Sequence, residues 1–257
     1  MLEQPQLLDP LLRLMPLPAT LVRHASASVE RRLRTLRLAD TSLAINVAAT
    51  FDDSCWLTLA EDMEPEQLPV KLGVPKGRRQ FSGVHLTLLS TKGQVNLLIG
   101  DDQCRVFIGS NTIIRGALQL FRGATAFIGD HTVIGHSRLI VNHADLVIGE
   151  DCHLVEDVLL QCNDPHLITD LSNGRLLNGS RQRTYLGRHV LVNRRALLMP
   201  GVRIGDGAIV QAGAVVVSDV PPNTWVGGSP AAVLREQVGW TREAQPAPSR
   251  QKARRAG

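Results

Sequence analysis

Residues 186–221 read LGRHVLVNRRALLMPGVRIGDGAIVQAGAVVVSDVP, and an aliphatic side chain returns in this stretch at every sixth position. An α-helix repeats every 3.6 residues and a β-strand every 2, so neither element alone produces such a pattern. The spacing indicates a backbone that makes one strand and one turn in each unit of six. The aliphatic positions are Leu186, Val192, Leu198, Ile204, Val210 and Val216.

A second position in each unit supports the same geometry. Four residues after each aliphatic side chain stands a small or β-branched residue, which fits near a corner. Three units close a triangular coil of about 18 residues, and such coils stack through parallel-strand hydrogen bonds. Burial of each inward Val, Leu or Ile contributes about 1.5–3 kcal/mol. The small residues are Val190, Ala196, Val202, Ala208, Ala214 and Val220.

A less regular form of the repeat precedes this stretch. Three aliphatic triplets begin 20 residues apart, which indicates two extra residues in each coil. The dipeptide Ile-Gly recurs at 99, 108, 128, 134 and 148. We therefore expect stacked three-sided coils from about residue 95 to 228, with the triplets inward. The triplets are Ile108, Ile114 and Leu120; Ile128, Ile134 and Ile140; and Ile148, Leu154 and Leu160.

The composition excludes several classes of protein. With 44% hydrophobic but only 4% aromatic residues, the 257-residue chain suits a core of small aliphatic layers. No apolar run approaches the about 18 residues of a membrane span, and the first residues do not resemble a signal peptide, so we expect a cytoplasmic location. The net charge of +4 comes without aromatic stacking sets or zinc-finger spacing, and we expect no nucleic-acid partner. The four cysteines form no CxxC pair and are expected as free thiols.

Three zones divide the chain. Residues 1–80 are interpreted as an N-terminal helical or mixed extension, because an apolar stripe at helical spacing runs through residues 1–40 with arginines opposite. The stripe is formed by Leu21, Ala25, Val29, Leu33 and Leu36. Packing against protein is favoured for it over contact with an anionic membrane surface. Residues 81–240 are interpreted as the β-helix domain with an inserted loop at 167–185, and 241–257 as a disordered basic tail.

The chain resembles the hexapeptide-repeat acyltransferases, in particular their sugar and polysaccharide O-acetyltransferase branch. Besides the hexads, the resemblance rests on NDPH (163–166), on the insertion LITDLSNGRLLNGSRQRTY (167–185) and on VRIGDGAIVQAGAVVVSDVPPNTWVGGSPAAVLRE (202–236). It implies a mainly β protein, a left-handed parallel β-helix that assembles as a homotrimer. It also implies an enzyme that transfers an acetyl group from acetyl-CoA, a substrate, to a sugar hydroxyl. We expect no permanently bound cofactor and no metal.

His166 is the candidate catalytic base. The hexads lead from Leu160 to His166, where the next aliphatic residue is missing and a polar loop begins. A sugar hydroxyl is a poor nucleophile near neutral pH, and histidine, with an ordinary pKa of about 6.5, suits the removal of its proton. Asp164 is favoured as the acid that orients the imidazole. Three other carboxylates remain open for that role: Asp151, Asp157 and Asp170.

The resemblance also places coenzyme A along the terminal coils, between two subunits. Small residues there let the pantetheine arm approach the backbone, and arginines pair with its phosphates. Where the family usually carries Trp and Lys, this chain has Leu191 and Ala232. The candidate coenzyme A residues are Arg194, Arg203, Ala212, Gly213, Gly227, Gly228, Ser229 and Arg235.

Two other functions are weighed against this one. Carbonic anhydrases of the γ type share the prism and bind zinc through three histidines between subunits. The histidines available here are His131, His136, His143 and His153. Zinc needs about three nitrogen ligands that converge at 2.0–2.1 Å. The second alternative is a catalytically inactive structural trimer.

Overall fold

The computed structural model describes residues 32–45, 47–89 and 91–243, and these form a parallel β-solenoid with very little helix. The described helical segments are one α-helical turn, α1 (Ser42–Ile45), and two 3-10 turns, at Leu38–Asp40 and Pro65–Gln67. Within the described ranges, no helix has the length and hydropathy needed to cross a membrane. The strands in chain order are β1 (Leu33–Arg37), β2 (Thr50–Phe51), β3 (Trp56–Ala60), β4 (Val70–Gly73), β5 (Gln80–Phe81), β6 (His85–Leu88), β7 (Thr91–Gly93), β8 (Val95–Ile99), β9 (Arg105–Ile108), β10 (Thr112–Ile114), β11 (Ala117–Phe121), β12 (Thr125–Ile128), β13 (Val133–Ile134), β14 (Arg138–Asn142), β15 (Ala144–Ile148), β16 (His153–Leu154), β17 (Leu159–Gln161), β18 (Gln182–Leu186), β19 (Leu191–Val192), β20 (Leu197–Leu198), β21 (Arg203–Ile204), β22 (Ile209–Val210), β23 (Val215–Val216), β24 (Trp225–Gly228) and β25 (Ala231–Arg235).

Three sheets form the three sides of the prism. Sheet I has the order β1-β3-β6-β9-β12-β15-β18-β21, sheet II β25-β24-β22-β19-β16-β13-β10-β7, and sheet III β23-β20-β17-β14-β11-β8-β4. From β6 to β23 the chain visits the three sheets in turn, so each coil adds one parallel strand to each side, while β2 and β5 form a separate two-stranded sheet. Antiparallel strands lie at two edges, β1 beside β3 in sheet I and β25 beside β24 in sheet II. These strands cover edges that would otherwise expose unpaired backbone groups.

The inward columns confirm the hexad prediction for the terminal coils. All six aliphatic positions from Leu186 to Val216 are at most 1% exposed. Ile128 pairs with Ile148, and Ile148 pairs with Leu186, so equivalent residues stack directly between coils. Adjacent parallel strands lie about 4.8 Å apart, which brings the stacked side chains into contact. One continuous aliphatic core therefore runs along the prism axis.

One residue of the aliphatic triplets, Ile140, does not point inward as predicted. In sheet III, Leu118 pairs with Leu139 and Leu139 with Leu160, so the repeat there is 21 residues rather than 20. Leu139 and Val141 are buried in the core, and Ile140 points outward between them. A shift of one residue moves a strand side chain to the other face, which explains the error.

The helical prediction for residues 1–40 is not supported. Leu33–Arg37 form strand β1, which pairs antiparallel with β3 and places Leu36 opposite Leu57. The open edge of sheet I offers backbone hydrogen bonds, and these override the helical spacing of the side chains. Residues 1–31, which hold the rest of the stripe, lie outside the described residues, as do residues 244–257 of the expected tail.

The recurring Ile-Gly dipeptides mark corners where successive coils approach closely. A Cβ atom on Gly149 would lie 2.4 Å from the carbonyl oxygen of Gly187 in the next coil. Two residues beyond the glycine, the corner residue takes a positive φ, as at His131 (57°) and Asp151 (55°). Asn, Asp and His adopt this conformation more readily than other non-glycine residues. The corner geometry thus accounts for the glycine of the Ile-Gly dipeptide and for the residue type two positions after it.

All four cysteines are buried and free, as expected. Burial raises the pKa of the Cys152 and Cys162 thiols to about 12. These thiols stay protonated near neutral pH and act as small apolar core side chains.

We predict that Leu198→Ala destabilises the fold by about 2–5 kcal/mol, because the substitution removes a fully buried side chain from the core column. The matched control is Leu171→Ala, since the Leu171 side chain is 97% exposed, and its effect should stay within about 0.5 kcal/mol. Urea unfolding followed by circular dichroism measures both variants. Equal shifts of the unfolding midpoint would contradict the inward position of Leu198.

Candidate functional site

The insertion that interrupts the hexads leaves the prism at the end of β17, a strand in the middle of sheet III. Strand β17 ends at Gln161, and the chain returns to the prism only at β18, which begins at Gln182. Ile148 in sheet I nevertheless pairs with Leu186 as its equivalent in the next coil. In the structure the insertion therefore comprises residues 162–181, which include His166, and it is extruded from a corner without disturbing the stack.

Most of the insertion is a closed hairpin. The backbone N–H of Leu177 donates to the carbonyl of Ile168 at 2.7 Å, and Thr169 and Leu176 form an antiparallel bridge. Asn178 links the hairpin to the candidate base: its Nδ2 donates to the carbonyl of His166 at 2.6 Å, and its Oδ1 accepts from the N–H of Ile168 at 2.9 Å. Asn178 was not among the predicted site residues.

Arg181 fastens the returning end of the insertion to sheet I. Its guanidinium donates to Asp145 Oδ1 at 2.6 Å and to the carbonyl of Gly123 at 3.1 Å. It also donates to Thr125 Oγ1 at 3.2 Å. Because Arg181 bridges two earlier coils, the base of the insertion is held to a rigid wall.

His166 has one ring nitrogen engaged and one free. Nδ1 lies 2.8 Å from Asp164 Oδ1, and the same oxygen accepts the backbone N–H of His166 at 2.9 Å. The backbone N–H and then the imidazole hold the pKa of the Asp164 carboxyl below its usual range. Among the described residues Nε2 has no hydrogen-bond partner, and the side chain is 86% exposed. A carboxylate at Nδ1 favours the tautomer in which Nε2 carries the lone pair.

The other three candidate acids are engaged away from His166. Asp170 bonds Ser172 and Asn173 at the tip of the hairpin. Asp151 pairs with His189 and Arg242, and Asp157 lies 3.8 Å from Arg195. Of the four carboxylates, Asp164 is the one that the structure places against the imidazole.

A cavity of about 570 Å³ opens beside His166 on the outer surface of sheet III. Its wall consists of outward residues of β11, β14 and β17, of the corner residues Asp101 and Arg122, and of the start of the insertion. This volume lies within the about 300–1,000 Å³ typical of small-molecule sites. The lining residues are Asp101, Phe121, Arg122, Ile140, Asn142, Gln161, Asp164, Pro165 and His166.

The predicted coenzyme A residues gather only in part. A second cavity, of about 540 Å³, is lined by Asn193, Ile209, Gln211, Ala212, Trp225, Arg235, Gln237, Val238 and Gly239. Ala212 and Arg235 therefore share one surface. Gly227 lies against it, since a Cβ atom there would be 2.0 Å from Gln211 Oε1. No residue lines both this cavity and the one beside His166.

The remaining predicted residues of this group lie around that surface or away from it. The backbone N–H of Gly213 donates to the carbonyl of Arg194, and the Arg194 side chain lies 3.4 Å from Glu156. Gly228 and Ser229 lie in the β24–β25 hairpin and its turn. Arg203 lies on sheet I, where its guanidinium stacks on Tyr185 at 5.0 Å, so the structure separates it from the others.

The four histidines of the zinc alternative are dispersed. In the part of the chain that the structure describes, no group of three or more His, Cys, Asp or Glu side chains is arranged to hold a metal ion. His131 and His143 have positive φ angles, as corner residues. Desolvation, followed by the charge of Arg242, lowers the pKa of His153.

A second His–Asp pair contrasts with the one in the insertion. His189 Nδ1 lies 2.6 Å from Asp151 Oδ2, while Nε2 lies 3.0 Å from the carbonyl of Trp240, whose ring stacks on the imidazole at 4.2 Å. Both nitrogens of His189 are thus engaged. Arg242 continues this contact by donating to the carbonyls of His131 and Cys152. The pair ties the segment after β25 to the prism, and neither Trp240 nor Arg242 was predicted to do so.

Comparison with known sequences gives acetyltransferases as relatives, and sugar O-acetyltransferases are among them. No family model matches the chain. The polysialic acid O-acetyltransferase of Escherichia coli O1:K1 / APEC is 29% identical over 138 residues, 53% of this chain and 45% of that protein. The galactoside O-acetyltransferase of Escherichia coli K12 is 27% identical over 133 residues, 50% of this chain and 63% of that protein. The alignments thus span less than two thirds of each relative.

Comparison with solved structures supports the fold over a larger part of the chain. The polySia-specific acetyltransferase NeuO superposes with a TM-score of 0.63 at 24% identity, covering 70% of this chain and 83% of that one. The polysialic acid O-acetyltransferase OatWY gives 0.51 at 18% identity, covering 72% and 88%. The resemblance to the hexapeptide-repeat acyltransferases is therefore confirmed: this chain is a β-solenoid, and sugar O-acetyltransferases are among its sequence relatives.

Proposed function

We propose that the protein is an O-acetyltransferase that moves an acetyl group from acetyl-CoA to a sugar hydroxyl, with His166 as general base. The observation that carries the proposal is the pair of His166 and Asp164 at the mouth of a cavity, with Nε2 unengaged among the described residues. The sequence relatives named above support the reaction class. Polysaccharide, O-antigen and simple glycoside acceptors all fit this reaction.

The chemistry follows from the two ring nitrogens. As the sugar oxygen attacks the thioester carbonyl, Nε2 takes the hydroxyl proton, and the carbonyl oxygen becomes an oxyanion. The tetrahedral intermediate then collapses, the carbon–sulfur bond breaks, and the imidazolium returns the proton to the thiolate of coenzyme A. Asp164 holds the ring through Nδ1 and stabilises the imidazolium between these two steps.

The donor is assigned to the second cavity. Ala212 and Gly227 leave room there for a pantetheine arm, and Arg235 offers a cation to its phosphates. Since the two cavities share no lining residue, the proposal requires a second copy of the chain to bring its donor surface next to His166. We propose a homotrimer of left-handed prisms with a cytoplasmic location, in which the outer face near residues 194–198 meets a neighbour. The face near residues 143–147, which the sequence also suggested, is a poorer candidate, because residues 144–147 are already buried within one chain.

The substitution His166→Ala should lower kcat about 10²–10⁴-fold, the usual contribution of a positioned base. The KM for acetyl-CoA should change little, because the base acts in the transition state rather than in donor binding. Thiol release with a panel of glycan acceptors measures both constants. The control is His136→Ala, another exposed histidine, which should retain activity. Loss of activity and of bound zinc in the control would favour the anhydrase alternative, and absence of acetyl-CoA binding would favour the inactive trimer.

The substitution Asp164→Ala should lower kcat by up to about 10²-fold, because the imidazole loses the contact that fixes its orientation. The effect should be smaller than that of His166→Ala. The double variant should have the same kcat as His166→Ala alone. Asp170→Ala, which removes a carboxylate at the hairpin tip, provides the control. An equal loss of activity in both aspartate variants would indicate damage to the insertion rather than a role at the base.

Light scattering during size-exclusion chromatography should give a mass of three chains. Because the donor surface comes from a second copy, activity should also fall when the protein is diluted below the concentration at which the trimer assembles. A monomer with full activity would contradict the proposed arrangement of the two cavities.

A further inference from the structure

We infer that Trp240 and His189 are positioning residues for the acetyl donor, because they hold residues 237–239 in place as one wall of the second cavity, the donor wall. This inference rests on the proposed function, which assigns acetyl-CoA to that cavity. Two independent observations carry it. The donor wall belongs to no sheet of the prism, and the residue that follows it is fixed at a corner by stacking and by hydrogen bonds.

The second cavity is lined partly by sheet II and partly by the donor wall. Ile209 and Trp225 pair in the register of β22 and β24, so the sheet fixes their positions. The donor wall follows the end of β25 and is part of no described strand. Its geometry therefore depends on contacts other than the strand pairing that orders the coils.

The donor wall is held at its start and in its middle. It begins shortly after Arg235, the last residue of β25. The backbone N–H of Val238 donates to the carbonyl of Asn223 at 2.9 Å. The end of the donor wall, at Gly239, therefore depends on how the next residue, Trp240, is held.

Trp240 is fixed to His189 through both its side chain and its backbone. Its ring stacks on the imidazole with the centroids 4.2 Å apart and the planes 9° from parallel. The indole Nε1 donates to the carbonyl of His189 at 2.8 Å, and the carbonyl of Trp240 lies 3.0 Å from His189 Nε2. These three contacts fix the position of the chain directly after Gly239.

His189 is itself tied to the preceding coil. Its backbone N–H donates to the carbonyl of Glu150 at 2.9 Å, and its Nδ1 lies 2.6 Å from Asp151 Oδ2. Arg242 donates to the other oxygen of Asp151 at 3.0 Å. Neither His189 nor Trp240 lines the second cavity, so both act on the donor through the donor wall.

A fixed donor wall raises affinity because its order does not have to be created when the donor binds. Fixing the backbone of one residue corresponds to about a tenfold change in affinity. A donor wall that is released at Gly239 would become ordered only on binding, and the donor would bind more weakly. The chemical step would keep its rate, because His166 lies in the other cavity.

The test measures donor binding and turnover separately. Calorimetry with coenzyme A measures binding, and thiol release with a glycan acceptor measures kcat and the KM for acetyl-CoA. Trp240→Ala should weaken binding of coenzyme A about 10- to 100-fold and raise this KM by a similar factor, while kcat at saturating acetyl-CoA changes less than about twofold. Trp240→Phe, which keeps a stacking ring but loses the indole N–H, should lie between Trp240→Ala and wild type.

Two further variants separate positioning from general stability. His189→Ala should weaken binding as Trp240→Ala does, and the double variant should bind no more weakly than Trp240→Ala alone, because both residues act through one anchor. Trp56→Ala provides the control. It removes another half-buried tryptophan, from β3 of sheet I and outside both cavities, and it should bind coenzyme A as wild type does.

Hydrogen exchange reports on the donor wall directly. In the wild-type protein the backbone N–H groups of residues 237–239 should exchange slowly even without a ligand. In Trp240→Ala they should exchange faster, and addition of coenzyme A should slow them again. This pattern distinguishes a preformed wall from one that forms only around the donor.

The inference is overturned if Trp240→Ala binds coenzyme A as wild type does, or if Trp56→Ala weakens binding equally. Equal exchange of residues 237–239 in wild type and in Trp240→Ala would also overturn it. Failure of the proposed reaction gives a different result: the wild-type protein then transfers no acetyl group to any acceptor, while binding of coenzyme A that depends on Trp240 supports the inference. A wild-type protein that does not bind coenzyme A overturns the donor assignment and the inference together.

Discussion

The structure depends on the register of parallel pairing between coils. Each inward aliphatic residue lies directly on its equivalent one coil away, as Ile148 does on Leu186. Backbone hydrogen bonds and core packing therefore require the same alignment, and neither can shift without the other. Residues between the columns are free to face outward, and every proposed contact to donor or acceptor is made from these outward positions, from the corners, from the insertion or from the segment after β25.

The same register explains how a candidate catalytic group can be added to a structural repeat. The insertion leaves and re-enters the prism at one corner, and Arg181 binds its returning end to Asp145 and Thr125. Asn178 then bonds the carbonyl of His166 and the backbone N–H of Ile168. The imidazole is thus positioned by a hairpin that is attached to a rigid wall, although the ring itself is 86% exposed.

Much of this fold could be predicted from the sequence, because the hexads of the terminal coils record the register directly. Prediction failed where the register departs from the hexad count. Ile140 lies outward because its sheet repeats after 21 residues, and Leu33 lies in a strand because a sheet edge was available to it. At the site, the closeness of Asp164 to His166 followed from their proximity in sequence. The contacts of Asn178 and Arg181 had no sequence signal, since they depend on how the insertion folds back on itself and onto the prism.

A stack of coils in which each coil touches only its neighbours tends to open from its ends, one layer at a time. The segment around Trp240 changes that behaviour. Trp240 packs on His189, and Arg242 reaches the backbone of His131 and Cys152, so a single stretch of chain spans three successive corners. Detaching this segment breaks contacts in three layers at the same time. The segment thus couples the layers that it contacts. Unfolding of this part of the solenoid is therefore more cooperative than in a stack whose coils contact only their neighbours.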